Sequence, residues 1–312
     1  MKPSVVVSLG GNAILPANNA GTIEEQFRVT RQTLSQIVDL AADNRLVLTH
    51  GNGPIVGNIL IRNEAARRQV PPMPLDVCGA DSQGGIGYMI QQTLANLFRE
   101  RGLVYPVATI VTQVVVDPED PGFRNPTKPI GPFYDEETAR RFEREKGWKM
   151  GQDSGRGWRR VVASPIPRRI VEMESIRTLH DAGQVVIAGG GGGIPVVEED
   201  DAGMRGVEAV VDKDLVSVVL ALALGAKRLL IITAVVRVAV DFGTPEQRPI
   251  ASMSIAEANR HLADGQFPPG SMGPKIEASV RFLEEGGEEV CITSPAKLQD
   301  ALHGREGTWI RR

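Results

Sequence analysis

The stretch that decides the fold is VVVSLGGN at residues 5–12, answered by LVLTHGNGP at 46–54. Each is a short, largely β-branched apolar run that stops at glycine and asparagine, and after the second a helical periodicity starts at once, over 55–68. Similar runs recur at 104–116, 184–188, 228–233 and 289–293. Between them, residues 23–43, 83–101, 167–182, 214–224 and 275–285 place apolar side chains three and four apart. Strand alternating with helix predicts an α/β fold with a mostly parallel sheet covered on both faces. In such sheets ligands bind beyond the carboxyl ends of the strands, and here the glycine clusters follow strands.

With 312 residues, 42% hydrophobic and 23% charged, the chain can bury a full core, and it has the length at which one large domain begins to divide into two lobes. A formal charge of −3 argues against a nucleic-acid surface and for a small-molecule partner. Cys78 and Cys291 are far apart and outside any CxxC spacing, which indicates neither a disulfide framework nor a Cys-rich zinc site. The run at 5–9 is too short for a secretory core, and 215–226 falls short of the ~20 residues that a bilayer span needs. A cytoplasmic protein with no membrane partner is expected.

Residues 117–165 break the pattern. They are rich in Pro, Gly and charge, with a charged helix predicted at 136–146 and a loop from Gly151 to Gly157. So long an insertion in an α/β domain reads as functional, often a lid.

Gly10-Gly11-Asn12 closes the first strand, and Gly51-Asn52-Gly53 closes the second as a helix begins. Glycine removes the Cβ that keeps an anion off the backbone, and a helix start offers unpaired N–H groups and a positive dipole end. A tight strand-to-helix turn explains either loop alone equally well; two on the first two strands favour a cradle that holds one phosphoryl group from two sides. Neither loop completes a dinucleotide or Walker A pattern, because Val56 stands where the third glycine belongs and no Gly-Lys pair exists. Gly189 to Gly193 is a run of five glycines after a strand, which suggests close approach to the backbone by a ligand or a lobe. Lys213, after Asp212, and Lys275, after Gly270-Ser271-Met272-Gly273-Pro274, both stand at helix starts, where the dipole disfavours a cation. An anion between them would resolve this; a solvated lysine beside Asp212 and Asp214 is the plainer account. Ala80 to Gly84 resembles a nucleophile elbow with alanine in place of the first glycine, a weak pointer to a hydrolase. The histidines show no paired metal spacing, and His50 reads as a turn hydrogen bond.

Together these pieces resemble the carbamate kinases of the amino-acid kinase superfamily, nearly end to end. The resemblance is carried by SLGGNAIL (8–15), THGNGPIVGN (49–58), PLDVCGADSQGGIGYMIQQ (74–92), NPTKPIGPFY (125–134), GRGWRRVVASPIP (155–167), AGGGGGIPVV (188–197), GVEAVVDKD (206–214) and GSMGPKIEA (270–278). It implies one amino-acid kinase domain over 1–312, an open three-layer αβα sandwich with a mostly parallel central sheet and an inserted lid subdomain. An acyl-substrate lobe would span about 1–183, with the lid about 117–165, and a nucleotide lobe 184–312. It also implies a homodimer and reversible phosphoryl transfer between ATP and carbamate, giving ADP and carbamoyl phosphate with Mg²⁺, used to make ATP in arginine, agmatine or purine catabolism. By the same resemblance, Lys128 reaches the transferred group, Lys213 and Lys275 bind nucleotide phosphates, and Asp214 orients the lysines with Asp212 as a helper. Thr233, Met272 and Gly273 fall in nucleotide loops, and Gly10, Gly11, Asn12, Gly51, Asn52 and Gly53 hold substrate and phosphate oxygens.

Val236, Asp81 and Ile166 depart from the family pattern; Val236 bears on the nucleotide loop and Asp81 on the substrate side. The alternatives are another acyl-phosphate kinase on the same scaffold, or a non-catalytic carbamoyl phosphate or nucleotide sensor. Retention of Lys128, Lys213 and Lys275 speaks against a sensor, and the glycine spacing speaks against a dinucleotide oxidoreductase.

Overall fold

The computed structural model describes residues 2–15, 21–152, 157–199, 203–268 and 270–312, with the backbone alone at Asn12. Eight strands form the central sheet in the order Ser252–Ser254, Thr308–Arg311, Glu289–Thr293, Arg228–Ile232, Ser4–Leu9, Arg45–His50, Val185–Ile187 and Val107–Thr109. The last six run parallel, and the first two oppose them. Strands buried on both faces read as continuous apolar runs, which is why SVVVSL contains no alternation.

Side chains alternate across the sheet and feed two cores. Val5, Val7, Leu9, Leu46 and Leu48 face helices Ile23–Leu34 and Leu75–Glu100. Val6, Val47, Leu229 and Ile231 face helices Met173–Asp181, Lys213–Ala223 and Gly273–Glu284. The result is the expected three-layer αβα sandwich with a mostly parallel sheet. The inserted segment supplies a three-stranded sheet, Lys128–Tyr134, Trp158–Val162 and Met150–Gln152, with the predicted helix at Glu136–Lys146. Of the loop expected at 151–157, residues 153–156 lie outside the described residues.

Several elements differ from their sequence expectation. The helix expected over 167–182 begins as the strand Pro167–Ile170, paired with Gln113–Val116, and becomes helical only at Met173. The run at 104–116 is two strands in two sheets: Thr112 leaves the first sheet, and its N–H and carbonyl are bonded by the Gln83 side chain. The periodicity at 23–43 is an α-helix to Leu34 followed by a 3₁₀ turn at Val38–Ala42. The helix expected from 83 starts at Leu75 despite Gly79, Gly84 and Gly85, because Leu75, Cys78 and Ser82 are buried along it. Ala80 to Gly84 therefore lies inside a helix, which removes the strand-to-helix turn that a nucleophile elbow requires.

The five glycines do carry the close approach expected of them. A Cβ at Gly190 would strike the His50 ring, one at Gly191 the Asn52 amide, and one at Gly192 the Val211 carbonyl. Gly192 also holds φ +91°, a region that L-residues avoid. Gly192→Ala should destabilise the fold by at least about 2 kcal/mol, since strain and collision add. Gly183→Ala, at φ +79° with nothing within 4 Å, should lose only about 1 kcal/mol. Equal shifts of the two denaturant midpoints would show that the approach to Val211 carries no weight.

Candidate active site

Leu9 and His50 are register partners at the carboxyl ends of adjacent parallel strands, so the two glycine loops leave the sheet side by side. They touch directly: the Gly51 N–H donates to the Leu9 carbonyl at 2.8 Å, and a Cβ on Gly51 would lie 2.8 Å from the Gly11 nitrogen. At Gly10 a Cβ would lie 2.9 Å from the Ile232 carbonyl oxygen. Both glycines are thus fixed by backbone meeting backbone. Helix Gly53–Ala65 starts at once, with Pro54 in its first turn, and its N-cap residue Asn52 does not cap it. The Asn52 amide donates instead to Ser82 Oγ at 2.8 Å, leaving the first-turn N–H groups without a side-chain acceptor.

Facing these loops are three lysines strung on two aspartates. Helix Lys213–Ala223 is capped by Asp212, whose Oδ1 accepts from the Asp214 N–H at 2.9 Å. Lys213 Nζ donates to Asp214 Oδ1 and to Ser8 Oγ, each at 2.6 Å. Lys275 Nζ reaches the other oxygen of Asp214 at 3.2 Å and the Ser271 carbonyl at 3.3 Å. Lys128, from the inserted sheet, donates to Asp212 Oδ2 at 2.8 Å. The anion that the helix-start lysines call for is therefore within the chain: Asp214 is shared by both.

Electrostatics follow from burial. For Asp214, burial would push the carboxyl up, but the Lys213 and Lys275 ammoniums and the bonds from Lys213 and Ser8 outweigh it and hold the group well below the usual carboxylate range. Burial pulls the Lys213 ammonium below the usual lysine range; Asp214 opposes that pull and Lys275 adds to it. His50 is pushed down to about 4, chiefly by burial, with its Gly51 carbonyl contact opposing and Lys213 adding. It is a neutral ring at neutral pH, and its Nδ1 lies 3.2 Å from the Gly51 carbonyl, the turn role expected of it.

Two cavities meet at this cluster. The smaller, about 180 Å³, is lined by Gly51, Asn52, Gly53, Gly191, Arg159 and the lysine–aspartate set. The larger, about 880 Å³, runs from Gly10 and Gly11 past Thr233 and Met272 to apolar walls at Val236, Phe242 and Phe267. Gly53, Lys128, Lys213, Gly270, Ser271 and Lys275 line both. A volume within the range of small-molecule pockets, cationic at one end and apolar at the other, suits a polyphosphate carrying an aromatic base.

Of the expected site residues, Lys128, Lys213, Lys275, Asp212, Asp214, Gly10, Gly11, Gly51, Asn52, Gly53, Thr233 and Met272 converge here. Gly273 lines neither cavity; its N–H donates to the Pro268 carbonyl at 3.0 Å and starts helix Gly273–Glu284. The Asn12 side chain lies outside the described residues. Asp81, on the exposed side of helix Leu75–Glu100, and Ile166, bonded through its N–H to Asp120, line neither cavity. Sequence reasoning missed Ser8, whose only signal is one hydroxyl in an apolar run, and Arg159, whose Nε donates to the Gly131 carbonyl at 3.0 Å. Among the described residues no group of three or more His, Cys, Asp or Glu gathers to hold a metal, and Asp212 and Asp214 each face a lysine.

Residues 3–294 match the family model of the amino acid kinase family. The chain is 48% identical over 312 residues to a carbamate kinase of Thermococcus kodakarensis, covering 99% of each. It is equally similar, 48% over 316 residues and 99% of each, to a carbamate kinase-like protein, YahI, of Escherichia coli. Among solved structures, the carbamate kinase of Giardia lamblia bound to AMP-PNP superposes with a TM-score of 0.92 at 42% identity, over 99% of this chain and 98% of that one.

Two stability measurements test the electrostatics. Asp214→Asn strands two neighbouring ammoniums, and urea unfolding at pH 7 should show a loss on the order of 3 kcal/mol. A loss no larger than that of an exposed salt-bridge deletion would refute the shared counter-ion. For His50, the folded pKa of about 4 lies below the unfolded value of ~6.5, so the unfolded chain binds the extra proton first. Its contribution is complete above pH ~6.5 and is lost as pH falls towards 4, by about 3 kcal/mol. In His50→Gln, stability plotted over that window should lie flatter than in the parent chain.

Proposed function

The chain belongs to the amino acid kinase family, and we propose that its two joined cavities carry out the carbamate kinase reaction. ATP and carbamate give reversibly ADP and carbamoyl phosphate. The observation that carries this reading is the junction itself: three lysines and two glycine loops surround the one place where a nucleotide-sized cavity opens into a small anion-sized one.

A carbamate oxygen attacks the γ-phosphorus while the bond from that phosphorus to the bridging oxygen breaks, and ADP leaves with the electron pair. Carbamate is already an anion, so the attack needs no general base, and catalysis reduces to alignment and charge neutralisation. Backbone N–H groups of Gly11, Asn12, Asn52 and Gly53 hold phosphoryl and carbamate oxygens, while Gly10 and Gly51, whose own N–H groups are engaged by the Ile232 and Leu9 carbonyls, let the two loops come together. Lys213 and Lys275 neutralise the nucleotide phosphates, Lys128 follows the transferred group, and Asp214, with Asp212, keeps the ammoniums aimed. Thr233 and Met272 contact the nucleotide. Mg²⁺ would arrive with the nucleotide, held mainly by phosphate oxygens and waters because Asp212 and Asp214 each face a lysine, and it would spread the charge of those oxygens.

The division into an acyl-substrate lobe over about 1–183 and a nucleotide lobe over 184–312 is supported by the larger cavity, lined mostly by residues after 184, while the smaller is lined from both parts of the chain; the inserted segment brings Lys128 to the junction as a lid would. Pairing of two copies is supported by the exposed apolar side chains Ile23, Val77 and Tyr88 on helices Ile23–Leu34 and Leu75–Glu100. A cytoplasmic location is part of the same reading, supported by the use of ATP and ADP as substrates. The direction of ATP formation, in arginine, agmatine or purine breakdown, is our assignment for its use.

The test is to mix the protein with carbamoyl phosphate, ADP and Mg²⁺ and follow ATP. Lys128→Ala should lower the rate by about 10²- to 10³-fold, by analogy with loss of one oxyanion donor. No ATP above that variant, from folded protein, would overturn the assignment; ATP from acetyl phosphate at the same rate would redirect it to a broader acyl-phosphate kinase.

A further inference from the structure

Of the two serines in the first strand, Ser4 is buried near the strand's start and Ser8 lies deeper, at the end next to the glycine loop. It is fully buried, on the same sheet face as Val6, beneath helix Lys213–Ala223. Its hydroxyl donates to Asp214 Oδ1 at 2.9 Å and accepts from Lys213 Nζ at 2.6 Å. A hydroxyl has one proton to give and two lone pairs, so it can serve carboxylate and ammonium at once. Its register partner Thr49, also fully buried, shares a 2.7 Å hydrogen bond with Ser217 Oγ, and that hydroxyl donates to the Lys213 carbonyl at 2.7 Å. Paired positions on two strands thus grip one residue, Thr49 through its backbone and Ser8 at its charged tip.

We propose that Ser8 is a positioning residue for phosphoryl transfer, which aims the Lys213 ammonium at the cavity junction and keeps it charged. This rests on the reading of Lys213 as a phosphate-binding lysine. An ammonium carries three N–H donors. Ser8 and Asp214 take two of them, and Lys213 lines both cavities, so the third is directed at the phosphates. Without Ser8 the head group is held at one point and can turn. Hydrogen bonding to a charged form favours that form, so the same loss makes Lys213 easier to deprotonate. The charged groups around it are Asp214 and Asp212, which favour the ammonium, and Lys275, which opposes it; His50 is neutral, and Lys128 is engaged by Asp212. Burial already disfavours the charge.

Ser8→Ala, which deletes one atom from a packed strand, tests this in two ways. In ATP formation, kcat should fall about tenfold with KM for ADP within about twofold, and the alkaline limb of the kcat profile should move about one pH unit towards acid. Independently of turnover, an NMR titration of ¹⁵N-labelled lysine side chains should show the Lys213 pKa lowered by a similar amount in the variant. A variant with a lower melting temperature but an unchanged kcat, alkaline limb and Lys213 titration would make Ser8 merely structural and overturn the proposal. If the parent chain makes no ATP from carbamoyl phosphate, the assigned reaction fails, and the titration still decides the role of Ser8.

Discussion

The arrangement of the site depends on one buried carboxylate. Asp214 lies against the carboxyl end of the first strand and accepts hydrogen bonds from Lys213, Lys275 and Ser8. A lone charge there is prohibitive, and a buried pair at best breaks even, because desolvation of both ions offsets their attraction. Two ammoniums on one carboxylate with a hydroxyl added make the arrangement tolerable, and they tie together the first strand, helix Lys213–Ala223 and helix Gly273–Glu284. The sandwich does not need this cluster for its own sake, since apolar side chains would fill the same place more cheaply. Its presence fits the proposed role of the site in meeting phosphates.

The sheet explains why the cluster can exist at all. Six parallel strands end at one edge, and the register of Ser4–Leu9 with Arg45–His50 brings two glycine loops into backbone contact. The five glycines after Val185–Ile187 then let His50, Asn52 and Val211 approach a third loop more closely than any side chain would allow. Glycine here is a spacing device, and the positive φ at Gly192 forms part of the path to Asp212 and Lys213.

How much was legible in the sequence divides along physical lines. Parallel core strands announce themselves as β-branched runs, and the glycine loops after them as breaks, so the sheet centre and the cradle are readable. The short strands at 194–199 and 158–162 are not, because Pro195 in the one and the charge-rich insertion around the other mask the apolar pattern. The helix from Leu75 is hidden by three glycines of low helix propensity, which tertiary burial overrides. Lys213 and Lys275 stand out as misplaced cations, but nothing in the sequence reveals that Lys275, 61 residues beyond Asp214, meets the same carboxylate as Lys213. Chain-distant partners are invisible to local rules, and Ser8, 206 residues from Asp214, is the extreme case.

That intramolecular pairing bears on how the site handles anions. Three bare ammoniums around one junction would repel one another, lose protons on burial and bind phosphate too firmly to release it. Two aspartates cancel most of the charge of these three lysines, and the uncapped start of helix Gly53–Ala65 adds its dipole to what is left. On the proposed assignment, such partial neutralisation suits a reversible transfer, which must both draw a nucleotide phosphate and release it. The aspartates also hold the lysines in place when no substrate is present, so little reorganisation remains when charge shifts between the two bound oxygens. In the proposed reaction, fixing the ammoniums beforehand, at the expense of fold stability, would favour the transfer over tight binding of either end state.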